Sequence, residues 1–238
     1  MKKISRKSAR LSHSDRDVKM LRFFNDFRHV VLLMLVILPE MKSFANPKIY
    51  LIRHAAVDLE KPGWGTSKKS AQYKEAYNFA EIETFNPEEV LQKIRNYESL
   101  DTVFCSPQPR AQETALILFN KNVVLQTDSV LAELDYPVVR VPVIQFPVKG
   151  WLFVSRVTWM AGINRGEKTG YRDRQLELNS FSDELIKFAH RNELAIVVAH
   201  GMLNRELVKI LKDRGWEFCD NGKDGFGNLS VNCLKYPD

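Results

Sequence analysis

The most regular feature of the sequence is a series of short apolar runs, each ending in polar residues. The runs cover residues 49–52, 102–105, 123–126 and 195–199. Short apolar runs bounded by polar loops predict buried strands of a parallel sheet. Because the intervening segments carry apolar residues at helical spacing, strands alternate with helices. This alternation predicts an α/β fold, a three-layer sandwich with a mostly parallel central sheet flanked by helices.

The helices are predicted from capping residues and apolar spacing. Asn86 and Ser182 are expected to be N-caps, because their side chains can accept a hydrogen bond from a first helical turn. Gly215 is expected to follow the end of a helix, where a left-handed backbone favours glycine. The remaining predicted elements are helices over 109–119, 180–191 and 202–214 and a last strand over 229–235.

Two segments show no regular period. Residues 55–85 are mainly polar and start beside His54, which predicts a long loop over the strand ends. Residues 136–179 mix prolines, aromatics and arginines, which predicts an insertion that shapes a pocket. The domain is therefore predicted to cover 46–238, with the insertion at about 136–179.

The net charge of +6 lies almost entirely near the N-terminus. Residues 1–29 hold nine Lys or Arg against three acids, whereas from Asn46 onward there are 25 of each. A nucleic-acid-binding surface needs its basic residues on the folded domain. Nucleic acid is therefore not a predicted partner.

Residues 1–45 are predicted to be a basic leader. The nine apolar residues 30–38 match a signal-peptide core, with cleavage predicted after Ala45. Periplasmic export or secretion follows. An uncleaved inner-membrane anchor and a buried helix are the alternatives, and translation could start at Met1 or Met20. In an oxidising compartment Cys219 and Cys233 could pair, although spacing alone leaves this open.

Three predicted strands end in residues suited to phosphate chemistry. Arg53 and His54 follow the first, Ser106 and Arg110 the second, and His200 the last long strand. The carboxyl ends of parallel strands share one edge of a sheet, where ligands bind. Arginine matches phosphate oxygens, and a neutral imidazole can attack phosphorus. These strand ends predict a phosphoryl-transfer site.

Such a site also needs an acid to protonate the leaving oxygen. Glu133, in the loop after the third strand, is the first candidate, with Asp135 and Asp58 in reserve. The histidines include no His-x-x-x-His spacing, so neither a metal nor another cofactor is predicted.

Four motifs together resemble the histidine phosphatase (phosphoglycerate mutase-like) superfamily, over about residues 47–236. The motifs are Leu51-Ile52-Arg53-His54, Ser106-Pro107-Gln108-Pro109-Arg110-Ala111-Gln112-Glu113-Thr114-Ala115, Leu131-Ala132-Glu133, and Val198-Ala199-His200-Gly201 with Arg205. The resemblance implies that His54 is the phosphorylated nucleophile and that Glu133 is the proton donor. It also implies that Arg53, Arg110 and His200 bind the phosphate.

The chain departs from the family pattern at two places. Ala55 stands where the family usually has glycine, and Met202, Ala56 and Glu60 replace polar residues of the mutase branch. The departures favour a plain phosphatase over a mutase. Together with the predicted leader and the lack of metal-ligand spacing, this predicts an exported phosphomonoesterase that works without metal. The alternatives are a mutase-like phosphotransferase and a non-catalytic relative that binds phosphate ligands.

The predicted insertion indicates the kind of substrate. It combines basic residues with large aromatics, namely Arg140, Arg156, Arg165, Lys168, Arg172 and Arg174 with Trp151, Phe153, Trp159 and Tyr171. These residues favour a phosphorylated small molecule, sugar or lipid as the substrate. The alternative is that the aromatics belong to the core and the arginines to a solvated face.

Overall fold

Six strands form the central sheet in the computed structural model, which describes residues 46–120, 123–164 and 170–237. They are β1 (Lys48–Arg53), β3 (Thr102–Cys105), β4 (Val124–Thr127), β6 (Leu194–Ala199), β7 (Glu217–Phe218) and β8 (Val231–Lys235). Their order is β4-β3-β6-β1-β8-β7, with β1, β3, β4 and β6 parallel and β8 antiparallel to β1. A separate antiparallel pair joins β2 (Trp64–Gly65) to β5 (Phe146–Pro147). The predicted mostly parallel sheet is confirmed.

Helices cover both faces of this sheet. They are α1 (Ser67–Phe79), α2 (Pro87–Leu91), α3 (Pro109–Phe119), α4 (Val148–Met160), α5 (Tyr171–Asn192) and α6 (Gly201–Asp213). Side chains alternate along β1, so that Ile49 and Leu51 pack with α5 and α6 while Tyr50 and Ile52 pack with α2 and α3. The sandwich therefore has three layers, as predicted.

The register of the sheet brings the chemically important strand ends together. β1 lies between β6 and β8, and Arg53 pairs with Ala199. The backbone N–H of His54 donates to the Ala199 carbonyl at 3.0 Å, and that of Ser106 donates to the Val198 carbonyl at 3.0 Å. The first residues beyond three neighbouring strands are therefore adjacent.

The two irregular segments both contain a helix that the hydrophobic pattern did not indicate, and the prediction of a loop over 55–85 is wrong for α1. Within 55–85, α1 buries only Ser67 and Ser70, so its sequence shows no apolar stripe. Within 136–179, α4 is apolar on nearly every side and shows no period. The predicted helix start near Ser182 is also wrong. This side chain lies buried inside α5 and donates to the Leu178 carbonyl at 2.7 Å.

Other local predictions agree with the structure. Asn86 caps α2 by accepting from the Glu88 backbone N–H at 3.1 Å, although that helix has only five residues. Gly215, just beyond α6, has a φ of +85°. Cys219 and Cys233 form a disulfide, the pairing that spacing alone left open.

The predicted leader lies outside the described residues, together with its cleavage site and its two possible starts. Among the described residues, no helix combines the length and apolar composition needed to cross a membrane.

Candidate active site

His54 is fully buried directly after β1, with its ring held in one orientation. Its Nδ1 lies 2.6 Å from the carbonyl oxygen of Ala55, which can only accept, so Nδ1 carries the proton. The backbone N–H of Ala55 donates to Thr114 Oγ1 at 3.0 Å, which fixes that peptide. The lone pair of His54 is therefore on Nε2, the atom that receives a hydrogen bond from Arg110 Nε at 3.3 Å.

His54 is also neutral. Burial, reinforced by the charges of Arg110 and Arg53, lowers the pKa of its imidazole from 6.5 to about 3. A neutral ring with an unprotonated Nε2 can act as a nucleophile.

His200 lies beside His54 at the start of α6, with ring centroids 5.0 Å apart. Its Nε2 is 2.8 Å from Ser106 Oγ, and its Nδ1 is 3.4 Å from Glu133 Oε2. Burial and then the neighbouring His54 and Arg110 lower the pKa of His200 well below its usual value. The second histidine is therefore neutral as well and can contribute a hydrogen bond to a ligand.

Arg110 is the centre of the site and is almost completely buried. Besides His54, its guanidinium donates to Gln108 Oε1 at 3.0 Å and to Asn78 Oδ1 at 3.4 Å. It also stacks over the ring of Tyr77, with its central carbon 5.1 Å from the centroid. Packing and hydrogen bonds thus hold a positively charged planar group beside the reactive nitrogen of His54.

Arg53 brings a second guanidinium to the same cavity. Its Nη1 donates to the Phe226 carbonyl at 2.8 Å, whereas its buried Nε has no partner. Gly201 allows this approach, since a Cβ there would lie 3.2 Å from that Nε. A buried donor without a partner is costly, and an anion bound in the cavity would satisfy it.

Glu133 reaches the site from the loop after β4. Its Oε2 is 3.7 Å from Arg110 Nη2, and its backbone N–H donates to Gln108 Oε1 at 3.1 Å. Arg174 holds the loop from behind by donating to the carbonyls of Val130 and Ala132 at 2.9 and 3.4 Å. Burial raises the pKa of the Glu133 carboxyl against the opposing charge of Arg110. A raised pKa suits a carboxyl group that must donate a proton.

The structure brings together all five predicted site residues, His54, Glu133, His200, Arg53 and Arg110. The two reserve acids lie elsewhere. Asp135 forms an ion pair with Lys74, and Asp58 is exposed and does not line the cavity.

The cavity lined by Arg53, Arg110 and Glu133 has a volume of about 400 Å³ and is strongly positive. The two histidines are fully buried and are not among its lining residues. Its lining includes two acids, Glu83 and Glu133, and six cations, Arg53, Lys61, Lys74, Arg110, Lys149 and Arg156. Tyr73, Tyr77 and Tyr136 add aromatic walls. The volume and the charge suit a small anionic ligand.

Several lining residues were missed from the sequence. Tyr73, Lys74, Tyr77 and Asn78 belong to α1, which was predicted to be a loop. The spacing of Tyr73 and Tyr77, four residues apart, is the one signal that they share a helix face. Arg156 was named as a pocket candidate, and Arg174 instead supports the acid loop. Arg165 and Lys168 lie outside the described residues.

The side chains of His54, Glu133 and His200 could in principle hold a metal ion, because their nitrogen and oxygen atoms lie within 4.8 Å of one another. Arg110 already contacts all three. Its Nη2 is 3.5 Å from His200 Nδ1 and 3.7 Å from Glu133 Oε2, and its Nε donates to His54. A cation bound here would have to displace the buried Arg110 guanidinium from these three contacts. It would then still lie beside the positive charge of Arg110. The residues therefore fit an anion rather than a metal.

Ala55 does not distort the loop after β1. Among the described residues, positive φ angles occur at nine positions, six of them outside glycine, and Ala55 is not one of them. A methyl group is tolerated at negative φ, so the missing glycine leaves the orientation of His54 intact.

The fold and the site together define an α/β protein with a buried anion site of histidines and arginines. The model of the histidine phosphatase superfamily (branch 1) matches residues 49–238, and the chain belongs to this superfamily. Membership supports phosphatase activity in general.

The chain is also similar to several solved structures. An open-reading-frame product of Mycobacterium tuberculosis and a mycobacterial glucosyl-3-phosphoglycerate phosphatase are each 15% identical, with TM-scores of 0.49 over 79% of this chain and 90% of theirs. Phosphoserine phosphatase from Entamoeba histolytica is 14% identical, with a TM-score of 0.45 over 78% of this chain and 89% of its own. No curated protein matches the sequence.

Proposed function

We propose that the protein is a phosphomonoesterase that works through a phosphohistidine on His54, with Glu133 as the proton donor. The observation that carries the proposal is the state of His54. Its Nε2 is unprotonated, its imidazole is neutral, and Arg110 lies 3.3 Å away to bind a phosphoryl oxygen.

In the first step, His54 Nε2 attacks phosphorus while the bond from phosphorus to the leaving oxygen breaks. Arg53, Arg110 and His200 bind the remaining phosphoryl oxygens through N–H groups. Protonated Glu133 gives its proton to the leaving oxygen, so that an alcohol departs. The new positive charge on the phosphorylated ring is stabilised by the hydrogen bond from Nδ1 to the Ala55 carbonyl.

In the second step, water attacks the phosphohistidine. Glu133, now a carboxylate, accepts a proton from this water as the phosphorus–nitrogen bond breaks. Inorganic phosphate leaves, His54 returns to its neutral form, and the protons balance over the two steps. Because no step uses a metal, a chelator is expected to leave turnover unchanged.

His54→Ala in the full chain tests the nucleophile. Turnover of an aryl phosphate is expected to fall by about a thousandfold or more, and the acid-labile phosphoenzyme should disappear. His190→Ala, which changes an exposed histidine on α5, is the matched control and should keep both signals. Turnover that survives in His54→Ala would contradict the mechanism.

Glu133→Gln tests the proton donor. An alkyl leaving group needs protonation more than an aryl one, so kcat is expected to fall much further with an alkyl phosphate. Equal losses with the two substrates would mean that another group supplies the proton.

We also propose that the protein acts outside the cytoplasm. The leader pattern of residues 1–45 and the disulfide between Cys219 and Cys233 support this location, since disulfides persist in oxidising compartments. Mass spectrometry of the protein isolated from the cell should find Asn46 as the N-terminus. A cytosolic protein that starts at Met1 or Met20 would contradict the proposal.

A further inference from the structure

The outer face of α4 is apolar although it is open to solvent. The inner face packs into the protein through Val148, Trp151, Ser155 and Trp159. Phe153, Val157 and Met160, spaced four and three residues apart, form an exposed stripe, with Phe153 66% exposed. A contiguous patch of exposed apolar side chains marks a site of interaction with a protein or a membrane. The outer stripe therefore lacks a covering layer among the described residues.

The antiparallel pair of β2 and β5 continues this stripe. The rings of Trp64 and Phe146 lie 6.5 Å apart, and Trp64 is 66% exposed. Phe146 lies against the first turn of α4, because a Cβ on Gly150 would be only 2.3 Å from its ring. We refer to Trp64, Phe146, Phe153, Val157 and Met160 as the α4 surface.

Apolar residues are also displayed in the loop that leads to β5. Val143 and Ile144 are both exposed there. Val143 has a φ of +69°, a conformation that a β-branched residue rarely adopts. Exposed apolar side chains on a strained backbone are a feature of functional segments.

The two chain segments that form the α4 surface contain no acidic residue. No acidic residue occurs from Tyr136 to Asn164 or from Lys61 to Lys74, the two stretches that β2 and β5 join. Together these stretches carry seven cations. Four of them, Lys61, Lys74, Lys149 and Arg156, line the cavity, and Lys74 also pairs with Asp135. The other three, Lys68, Lys69 and Arg140, are exposed outside the cavity lining. Residues 46–238 are formally neutral as a whole, so this is a local concentration of positive charge.

We propose that the α4 surface binds the interface of an anionic lipid membrane. Aromatic and aliphatic side chains enter the boundary between head groups and acyl chains, while lysines and arginines contact anionic head groups. Lys69 lies well for this, since its Nζ donates to the Trp64 carbonyl at 3.2 Å.

The same charges disfavour a second copy of the chain as the occupant. In a two-fold symmetric dimer the same patch meets itself, so the cations of one copy would face those of the other. An anionic bilayer complements both the apolar stripe and the positive charge.

Membrane binding would place the cavity at the lipid surface. Three residues of α4 line the cavity, namely Lys149, Leu152 and Arg156. Leu152 and Arg156 directly precede Phe153 and Val157 of the exposed stripe, so the cavity side of the helix adjoins the stripe. This binding stands independently of the proposed hydrolysis, and its test uses no enzymatic readout.

Trp64 makes the test specific to this surface even if the leader also attaches to lipid. The other three tryptophans, Trp151, Trp159 and Trp216, are buried. The full chain is mixed with vesicles of phosphatidylglycerol and phosphatidylcholine that carry brominated acyl chains, which quench only nearby indoles. We expect quenching and a blue shift of the emission with phosphatidylglycerol, both absent in Trp64→Phe.

Phe153→Ser combined with Val157→Ser removes the stripe without touching the core. Partition of the α4 surface is expected to weaken by about tenfold or more, which abolishes most of the quenching. Val124→Ser, on the edge strand β4, is the matched control because Val124 is also 66% exposed, and it should behave as wild type. Circular dichroism checks that the variants are folded.

Three outcomes would overturn the proposal. The first is vesicle binding without quenching of Trp64, which would mean attachment elsewhere. The second is quenching that survives in the double variant. The third is lipid-independent dimerisation, detected by sedimentation, that the double variant abolishes, which would assign the surface to a second copy.

Discussion

Gln108 is expected to hold the central arginine and the acid loop in their relative positions. Its Oε1 accepts one hydrogen bond from Arg110 Nη2 at 3.0 Å and another from the Glu133 backbone N–H at 3.1 Å. Gln108→Leu preserves most of the side-chain volume but removes this shared acceptor. Both donors then face an apolar group, and the guanidinium and the carboxyl lose their common support.

The size of the effect follows from the two hydrogen bonds. A bond from a charged donor contributes about 1.5–3 kcal/mol and a neutral one about 0.5–1.5 kcal/mol. If the variant loses about half of the combined free energy of these two hydrogen bonds in the transition state, kcat/KM falls by about 5- to 50-fold. In the proposed mechanism Arg110 binds the phosphate and Glu133 moves the proton, so KM should rise and kcat should fall.

Steady-state kinetics of the full chain with an alkyl and an aryl phosphate measure both effects. The loss in kcat is expected to be larger for the alkyl phosphate, which a merely unstable variant would not produce. Gln112→Leu on the same helix is the matched control, because Gln112 donates only to the Pro107 carbonyl, at 2.7 Å. Wild-type kcat/KM in Gln108→Leu, or an equal loss in Gln112→Leu, would refute the reasoning.

Three further predictions concern pH, packing and the disulfide. The folded state lowers the pKa of His54 to about 3, so its stabilising contribution is complete above pH 6.5 and is lost toward pH 3. In urea titrations the wild type should therefore lose about 1.4 kcal/mol per pH unit more than His54→Asn in this window. In Gly201→Ala, a Cβ would lie 2.9 Å from a carbonyl oxygen and 3.2 Å from Arg53, so inhibition by inorganic phosphate should weaken while the fold persists by circular dichroism. Replacing Cys219 and Cys233 by serine should lower the free energy of unfolding by about 2–4 kcal/mol, and a reductant should have the same effect on the wild type alone.

The strand-end part of the site could be predicted from the sequence because parallel topology determines it. His54 and His200 each follow an apolar run that only a buried strand explains, and such strands end at a common edge. Ser106 and Arg110 follow from the same argument. Glu133 was the first candidate acid because it lies in the loop after the third strand, and the resemblance to a family added its role as proton donor.

The walls of the cavity could not be predicted in this way. Tyr77 and Asn78 lie on a helix whose only buried residues are serines, so hydrophobic spacing gives no sign of it. In α4 the opposite holds, because apolar residues on nearly all sides hide the period. The role of Gln108 depends on two hydrogen bonds between distant segments, which no local pattern encodes.

The two arginines explain how one buried site can hold both a neutral histidine and a phosphate anion. Burial alone would keep His54 unprotonated, but it would also exclude a phosphate dianion from the cavity. The positive charges of Arg110 and Arg53 attract the phosphate into the cavity. The same charges lower the pKa of the His54 imidazole further and so help to keep it neutral. A metal ion could supply the charge, but it would occupy the lone pair on Nε2 that the nucleophile needs. In the proposed mechanism, the Arg110 guanidinium exchanges its 3.3 Å hydrogen bond to that nitrogen for one to phosphate, which leaves the lone pair free to attack.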